Sequence, residues 1–291
     1  MTTDRQRPWA ALALLLTSLL CYSLCVILAR VVYLHGGNAL TALLSRMGLF
    51  FVAMALYFRL TRQSAYLAPT ERYASLALGV LVSIQSYAYY SAFQYIPISL
   101  AALIFYTYPT LVTLISRLIA RTPLTPLMLA SLLAAFLGLA LVLEVSIGTV
   151  APHGLVRASF AAIGMVATVL LASRILARVD NRRMTLHSSG MTTALYVTAA
   201  LLTGAAIPPS DGIGWAALLA IPAIYSVAVL GWYTSMRTLG VVKVSFISNS
   251  EPMFTVFLAA VLLGESLTPR QLLGAALIIG AIFAVQVFGR R

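Results

Sequence analysis

YSAFQYIPISLAALIFYTYPTLVTLISRLIARTPLTP (residues 90–126) and YTSMRTLGVVKVSFISNSEPMFTVFLAAVLLGESLTP (residues 233–269) are two versions of one pattern. Tyr90 pairs with Tyr233, Pro109 with Pro252, and Leu124-Thr125-Pro126 with Leu267-Thr268-Pro269, all at an offset of 143 residues and without a gap. The chain therefore reads as two related halves, 1–148 and 149–291.

Composition places those halves in a membrane. Sixty-one per cent of the 291 residues are hydrophobic, 9% are charged, and the mean hydropathy is +0.97. A soluble domain carries roughly 25% charged residues, and several runs here approach or exceed the ~18 apolar residues that cross hydrocarbon. The expectation is an all-α integral membrane protein whose first partner is the lipid bilayer. The net charge of +12 does not point to nucleic acid. Basic residues stand at the ends of apolar runs, as membrane orientation requires, and form no patch. Cys21 and Cys25 share a helix face at spacing i, i+4, with no His or acid beside them. They read as packing residues, and no metal or other cofactor is expected. The first apolar run is too long for a signal peptide, and Leu20 does not suit a lipoprotein cleavage site before Cys21. It reads as a retained span.

Hydrophobic runs fall at about 9–29, 39–59, 73–94, 97–117, 126–144, 155–177, 185–207, 213–236, 241–263 and 269–288. Each is long enough for ~30 Å of hydrocarbon, which predicts ten transmembrane helices. With the N-terminus inside, the inner loops and tails hold Arg5, Arg7, Arg59, Arg62, Arg72, Arg117, Arg121, Arg174, Arg178, Arg182, Arg183, Arg237, Lys243, Arg290 and Arg291. The outer side keeps only Arg30, Arg157 and Arg270. That asymmetry predicts two cytoplasmic termini. Five runs separate equivalent points of the repeat, an odd number, so the halves run in opposite directions. Two inverted five-helix repeats are the architecture of many secondary carriers, which bind cargo near the midplane.

The segment NSEPMFTVFLAAVLLGESLTPRQLLGAALIIGAI (residues 249–282) resembles the second-half signature of the EamA-type transporters of the drug/metabolite transporter superfamily. Its carriers are Glu251-Pro252, Gly264-Glu265-Ser266-Leu267-Thr268, and Gly274 with Gly280. In the first half Pro109 and Leu124-Thr125 match, but Arg121-Thr122 replaces the Gly-Glu of many members and Tyr108 replaces the acid before the proline. Arg46 in the second run resembles the arginine usual there. The resemblance implies ten helices and export of small organic metabolites across the plasma (inner) membrane, by a protein that is not an enzyme. It leaves monomer and homodimer open.

Seven acids exist, and Asp4, Glu71, Glu144, Asp180, Asp211 and Glu265 lie at run boundaries or in loops. Glu251 alone is deep, ~12 Å into its run at 1.5 Å per residue, and an intramembrane carboxylate is functional by default. Its expected role is to gate or couple transport, with protons as the coupling ion; a buried structural acid is the alternative. Pro252 frees a backbone carbonyl four residues back. Ser245, Ser248, Asn249, Glu251, Pro252 and Thr255 then make a polar stripe that lines a substrate pathway. The partner stripe in the other half is Ser99, Ala102, Tyr106, Pro109 and Thr113, with Tyr106 opposite Asn249 in the repeat. Pro109 and Pro252 are the expected helix breaks. Gln85, Tyr89 and Tyr225 lie deep enough to line a pocket for an amphipathic solute. Three roles stand open for Arg46: pairing a carboxylate, receiving an anionic part of the substrate, or reaching to the outer face. None of the three histidines sits where a midplane proton relay would need it.

Two other readings compete with a metabolite exporter, one from another class and one within the superfamily. A membrane-embedded enzyme finds no support, because the chain has no acid cluster and no phosphate-cradling loop. Within the superfamily, antiport of nucleotide sugars or other organic anions would call for central basic residues, and Arg46 is the only candidate. Amino acids or amphipathic compounds suit the aromatic, hydroxyl-rich interior better.

Overall fold

Each of the ten apolar runs is helical in the computed structural model, which describes residues 8–93, 95–121, 125–144, 151–264 and 266–288. The chain runs α1 (Pro8–Leu34), α2 (Ala39–Leu60), α3 (Pro69–Ala92), α4 (Ile98–Phe105), α5 (Tyr108–Ile119), α6 (Pro126–Val142), α7 (Pro152–Leu176), α8 (Asn181–Thr203), α9 (Gly212–Leu239), α10 (Val241–Ser248), α11 (Glu251–Leu263) and α12 (Pro269–Phe288). The fourth and ninth runs are thus each divided in two. Among the described residues there is no strand. Asp4, Arg5, Arg7, Thr122, Leu124, Glu265, Arg290 and Arg291, which entered the sequence reading, lie outside the described residues.

Six segments are long and apolar enough to cross a membrane: Trp9–Leu34, Ala39–Leu60, Ile98–Ile119, Pro152–Leu176, Gly212–Leu239 and Val241–Leu262. α6 and α12 are apolar but shorter over the stretch described. α3 and α8 have the length but are more polar, and much of that polarity is turned inward. Ser75, Ser83, Gln85 and Ser86 of α3 are buried, as are Ser188, Ser189 and Thr192 of α8.

Contacts gather the chain into two units, residues 1–83 with 171–239 and residues 84–170 with 240–291. Each draws helices from both halves of the sequence. In the first unit α1 and α9 run antiparallel along a shared seam. The Ser235 hydroxyl donates to the Ala11 carbonyl at 3.1 Å, and Cys25 Sγ reaches the Ile221 carbonyl at 3.8 Å. Between them, a Cβ on Gly231 would stand 2.3 Å from Ser18 Oγ, so the helices meet there because glycine leaves room. α8 crosses α3 just as closely, with Gly79 against the Ser188 carbonyl and the Thr192 hydroxyl donating to the Gly79 carbonyl at 2.9 Å. Small residues and hydroxyls at helix contacts are what a membrane interior favours, since lipid supplies no hydrophobic drive between helices.

Pro222 stands inside α9 and has no N–H to give the Leu218 carbonyl. The Ser45 hydroxyl of α2 donates to that carbonyl instead, at 2.8 Å. A freed backbone acceptor in a membrane must find such a donor.

The first unit's loops are clamped together. Asn38 N–H donates to the Ile207 carbonyl and Ser210 N–H to the His35 carbonyl, while His35 Nδ1 lies 2.5 Å from Asp211 Oδ2. The Gly214 N–H and then His35 hold the exposed Asp211 carboxyl below its ordinary value. A carboxylate whose pKa is depressed on folding adds stability above its unfolded pKa of about 3.9 and loses it as pH falls through the lower folded value. An Asp211→Ala protein is therefore expected to melt lower than the parent at pH 6. That gap narrows below about pH 4, as thermal midpoints in detergent would show.

In the second unit α6 and α12 also run antiparallel. Gly138 and Gly274 face each other so closely that a Cβ on either would lie 2.7 or 2.4 Å from the other's carbonyl oxygen. Leu139, Val142 and Ile278 close one side of this seam, and Met128, Leu132, Ala135 and Ala281 the other. Farther along the unit, Ala92, Ile96, Ala101 and Ala158 join the end of α3 to α4 and α7.

Helix ends carry their own signals. Gly264 caps α11 in the left-handed region at φ 71°, and Arg121, one repeat offset earlier, adopts φ 51° after α5. The backbone geometry of the repeat is kept although the glycine is not. A side chain there costs about 1 kcal/mol.

Candidate functional site

Two interrupted helices build the site. α4 stops at Phe105 and α5 starts at Tyr108; α10 stops at Ser248 and α11 starts at Glu251. Both pairs of boundaries differ by the repeat offset of 143. Each second helix carries its proline at the second position, Pro109 or Pro252, where a missing N–H costs nothing. The interruptions are tight turns. Thr107, Asn249 and Ser250 donate their N–H groups to carbonyls three residues back, those of Ile104, Phe246 and Ile247.

Side chains reinforce these turns. The Thr107 hydroxyl donates to Ile104 at 2.7 Å, Asn249 Nδ2 to Phe246 at 3.0 Å, and the Ser250 hydroxyl to Ile247 at 2.8 Å. Polar side chains that reach back to nearby carbonyls compete with helical continuation. The sequence reading placed Glu251 midway along the span 241–263, just before a break expected at Pro252. In the structure Glu251 is instead the first residue of a new helix, where the macrodipole favours negative charge.

Several of the expected pathway residues converge in this second unit. Tyr106 lies within polar reach of Glu251, and Tyr108 within that of Ser248. Tyr89 lies near enough to feel the Glu251 charge. Its ring sits 4.4 Å from Phe105, and Phe105 in turn contacts Tyr106 and Tyr108, each at 5.5 Å. Tyr90 and Phe93 extend the cluster along α3, at 5.5 and 4.9 Å from Tyr89. Gln85 is one turn before Tyr89 on the same face. Its Nε2 donates to Ser86, while its Oε1 is buried with no hydrogen-bond partner among the described residues.

Other members of the expected stripe do different work. Ser248 and Thr255 give their hydroxyls to the carbonyls of Val244 and Glu251, one turn back. Ser245 is fully buried, its hydroxyl unpartnered among the described residues. Arg46 and Tyr225 belong to the first unit, where the guanidinium lies 5.0 Å above the Tyr225 ring and the edges of Tyr22 and Phe50 close around that ring. Tyr22 and Phe50 carried no signal in the sequence, since an aromatic on an apolar helix looks like any packing residue. Tyr108 was quoted only as a missing acid, yet it occupies Glu251's equivalent place.

The model of the EamA-like transporter family matches residues 9–144 and again 153–286. The chain belongs to the EamA-like transporter family. Members of the EamA-like family are membrane transporters of the drug/metabolite transporter superfamily, and this EamA-like chain is a multi-pass membrane protein. Among curated proteins none matches it. One solved structure, described only as the crystal structure of a protein, superimposes with a TM-score of 0.79 at 21% identity. The match covers 96% of this chain and 98% of the other, and shows that the EamA-like chain shares its fold.

Proposed function

We propose that this EamA-like protein is a secondary transporter that exports small organic metabolites across the plasma (inner) membrane by alternating access. Ten spanning helices form two inverted five-helix repeats, 1–148 and 149–291, with both termini cytoplasmic. α4–α5 and α10–α11 each make one broken span. The observation that carries the reading is the pair of equivalent helix interruptions, one of which begins with the intramembrane acid Glu251. Paired broken helices are where carriers of this type bind cargo. The antiparallel seam of α6 and α12, the last helices of the two family-model matches, supports the inversion.

Glu251 takes up and releases a proton as cargo binds and leaves, with Tyr106 as its polar neighbour. Gln85, Tyr89, Tyr106, Ser245, Ser248 and Asn249 line the pathway. Tyr225 and Arg46 are a second polar point in the first unit. Purified protein in liposomes tests the reading: saturable counterflow of a labelled solute is expected, and flux rising linearly with concentration would identify a pore.

A further inference from the structure

Where α2 stops and α8 starts, the first unit gathers arginines that meet no acid. Arg59 lies in the last turn of α2, Arg62 follows with a left-handed φ of 52°, and Arg182 and Arg183 open α8. Among the described residues none of the four forms an ion pair. Asp180, just before α8, accepts the backbone N–H of Arg182 at 2.9 Å and faces Arg237 at 3.9 Å. Glu71, in the first turn of α3, pairs with none of them.

Their donors turn to neutral oxygens instead. Arg182 Nη1 donates to the Tyr57 hydroxyl at 2.6 Å, and Gln63 Nε2 reaches the same oxygen at 3.3 Å. The Arg182 guanidinium also lies 5.3 Å from the Tyr57 ring centre. Arg183 Nη1 meets a backbone carbonyl, that of Tyr66, at 3.4 Å. A phenol oxygen that accepts two N–H groups still has its own proton to give, and among the described residues no acceptor takes it. Arg182 is exposed, and a guanidinium carries five donors in a fixed fork, so most of its donors stay open. Beside this cluster the surface is apolar. Val52, Leu56 and Arg59 stand at i, i+4 and i+7 on α2, and all three are exposed. An acyl chain along that stripe would bring its headgroup to Arg59.

We propose that the end of α2 and the start of α8 bind an anionic glycerophospholipid. Arg182 and the Tyr57 hydroxyl donate to its phosphate, Arg59 and Arg62 supply further positive charge, and Val52 and Leu56 flank an acyl chain. Phosphate accepts short, charge-assisted hydrogen bonds from a guanidinium fork, and basic pockets between membrane helices hold such headgroups. A zwitterionic lipid brings a cation that the four arginines repel. The proposed orientation puts this end at the cytoplasmic leaflet. The lipid site belongs to the first unit and the interrupted helices to the second, so it does not depend on the carrier reading.

Native mass spectrometry of the detergent-solubilised full-length protein, titrated with single lipids of matched acyl chains, tests the site. Phosphatidylglycerol is expected to bind at least about fivefold more tightly than phosphatidylcholine, the worth of about one arginine near an anionic headgroup. Arg182→Gln should lower the phosphatidylglycerol affinity about fivefold, and Arg59→Gln with Arg182→Gln about twentyfold. Tyr57→Phe keeps the ring but removes the hydroxyl, and about threefold should be lost. Arg270→Gln, the same charge change in an exposed loop residue of the other unit, should stay within about twofold. Inorganic phosphate at the concentration of the lipid should not displace it. Equal affinity for the two lipids, or an equal loss in Arg270→Gln and Arg182→Gln, overturns the site. No loss in Tyr57→Phe would reduce it to diffuse surface charge and overturns it as well. Displacement by inorganic phosphate would assign the cluster to a soluble anion and remove the lipid. Should a variant not fold, the discrimination between the two lipids by the unaltered protein decides alone.

Discussion

Replacing Glu251 by Gln is expected to flatten the pH dependence of transport in liposomes, while counterflow at fixed pH persists. The substitution keeps the length of the side chain and a carbonyl oxygen at its end, so the turn before α11 and the helix start should survive. What disappears is the ability to change charge between the two states of the carrier. If the proton and the cargo are linked through this one group, a proton gradient should accelerate parent transport by about tenfold, toward the lower end of the usual range for linked sites. In the Gln protein the gradient should do nothing. A Gln protein whose pH profile matches that of the parent would reduce Glu251 to a structural acid. Tyr108, its counterpart in the other half, cannot substitute for it, because a phenol does not titrate near neutral pH.

Gly274→Val is expected to produce the largest loss of stability. A Cβ at this position would lie 2.4 Å from the Gly138 carbonyl oxygen and 2.8 Å from the Val142 nitrogen, and both are backbone atoms that no rotamer change can move. α6 and α12 must then part, and the clusters on both sides of their seam open with them. The cost should reach about 3 kcal/mol, the upper end for overpacking. Gly280→Ala on the same helix is the control. Nothing lies within 4 Å of its Cβ position, so the substitution should leave stability unchanged or raise it slightly. Thermal midpoints in detergent distinguish the two, and equal midpoints would mean that the seam is looser than its geometry implies.

Much of this arrangement was legible because it is local or repeated. The offset of 143 and the two prolines marked where helices break, and depth along an apolar run singled out Glu251. The exact form of the breaks was less accessible. Asn249 looks like a pathway residue, but its side chain and that of Ser250 bond carbonyls at the end of α10, and this makes Glu251 a helix start. Arg121 appeared as an inner-side charge and as a departure from the family pattern. Its left-handed backbone shows that the turn persists and that glycine has been lost from it. Contacts between distant segments left no trace to read. Gly138 and Gly274, Arg46 and Tyr225, and Ser45 and the carbonyl freed by Pro222 each join helices far apart in sequence, and a single sequence does not encode which helix faces which.

The two contact units have a consequence for how the protein is made. α1 packs along α9, and α6 along α12, so in each case a helix inserted early waits for a partner synthesised much later. The first unit cannot be completed until residue 239 has left the ribosome, and the second not until the last helix has followed. A nascent chain stalled at the division between its halves would hold the unsatisfied faces of both units in lipid at once. Quality control in the membrane would meet this protein as a late-assembling substrate, and neither half released alone would carry a finished core.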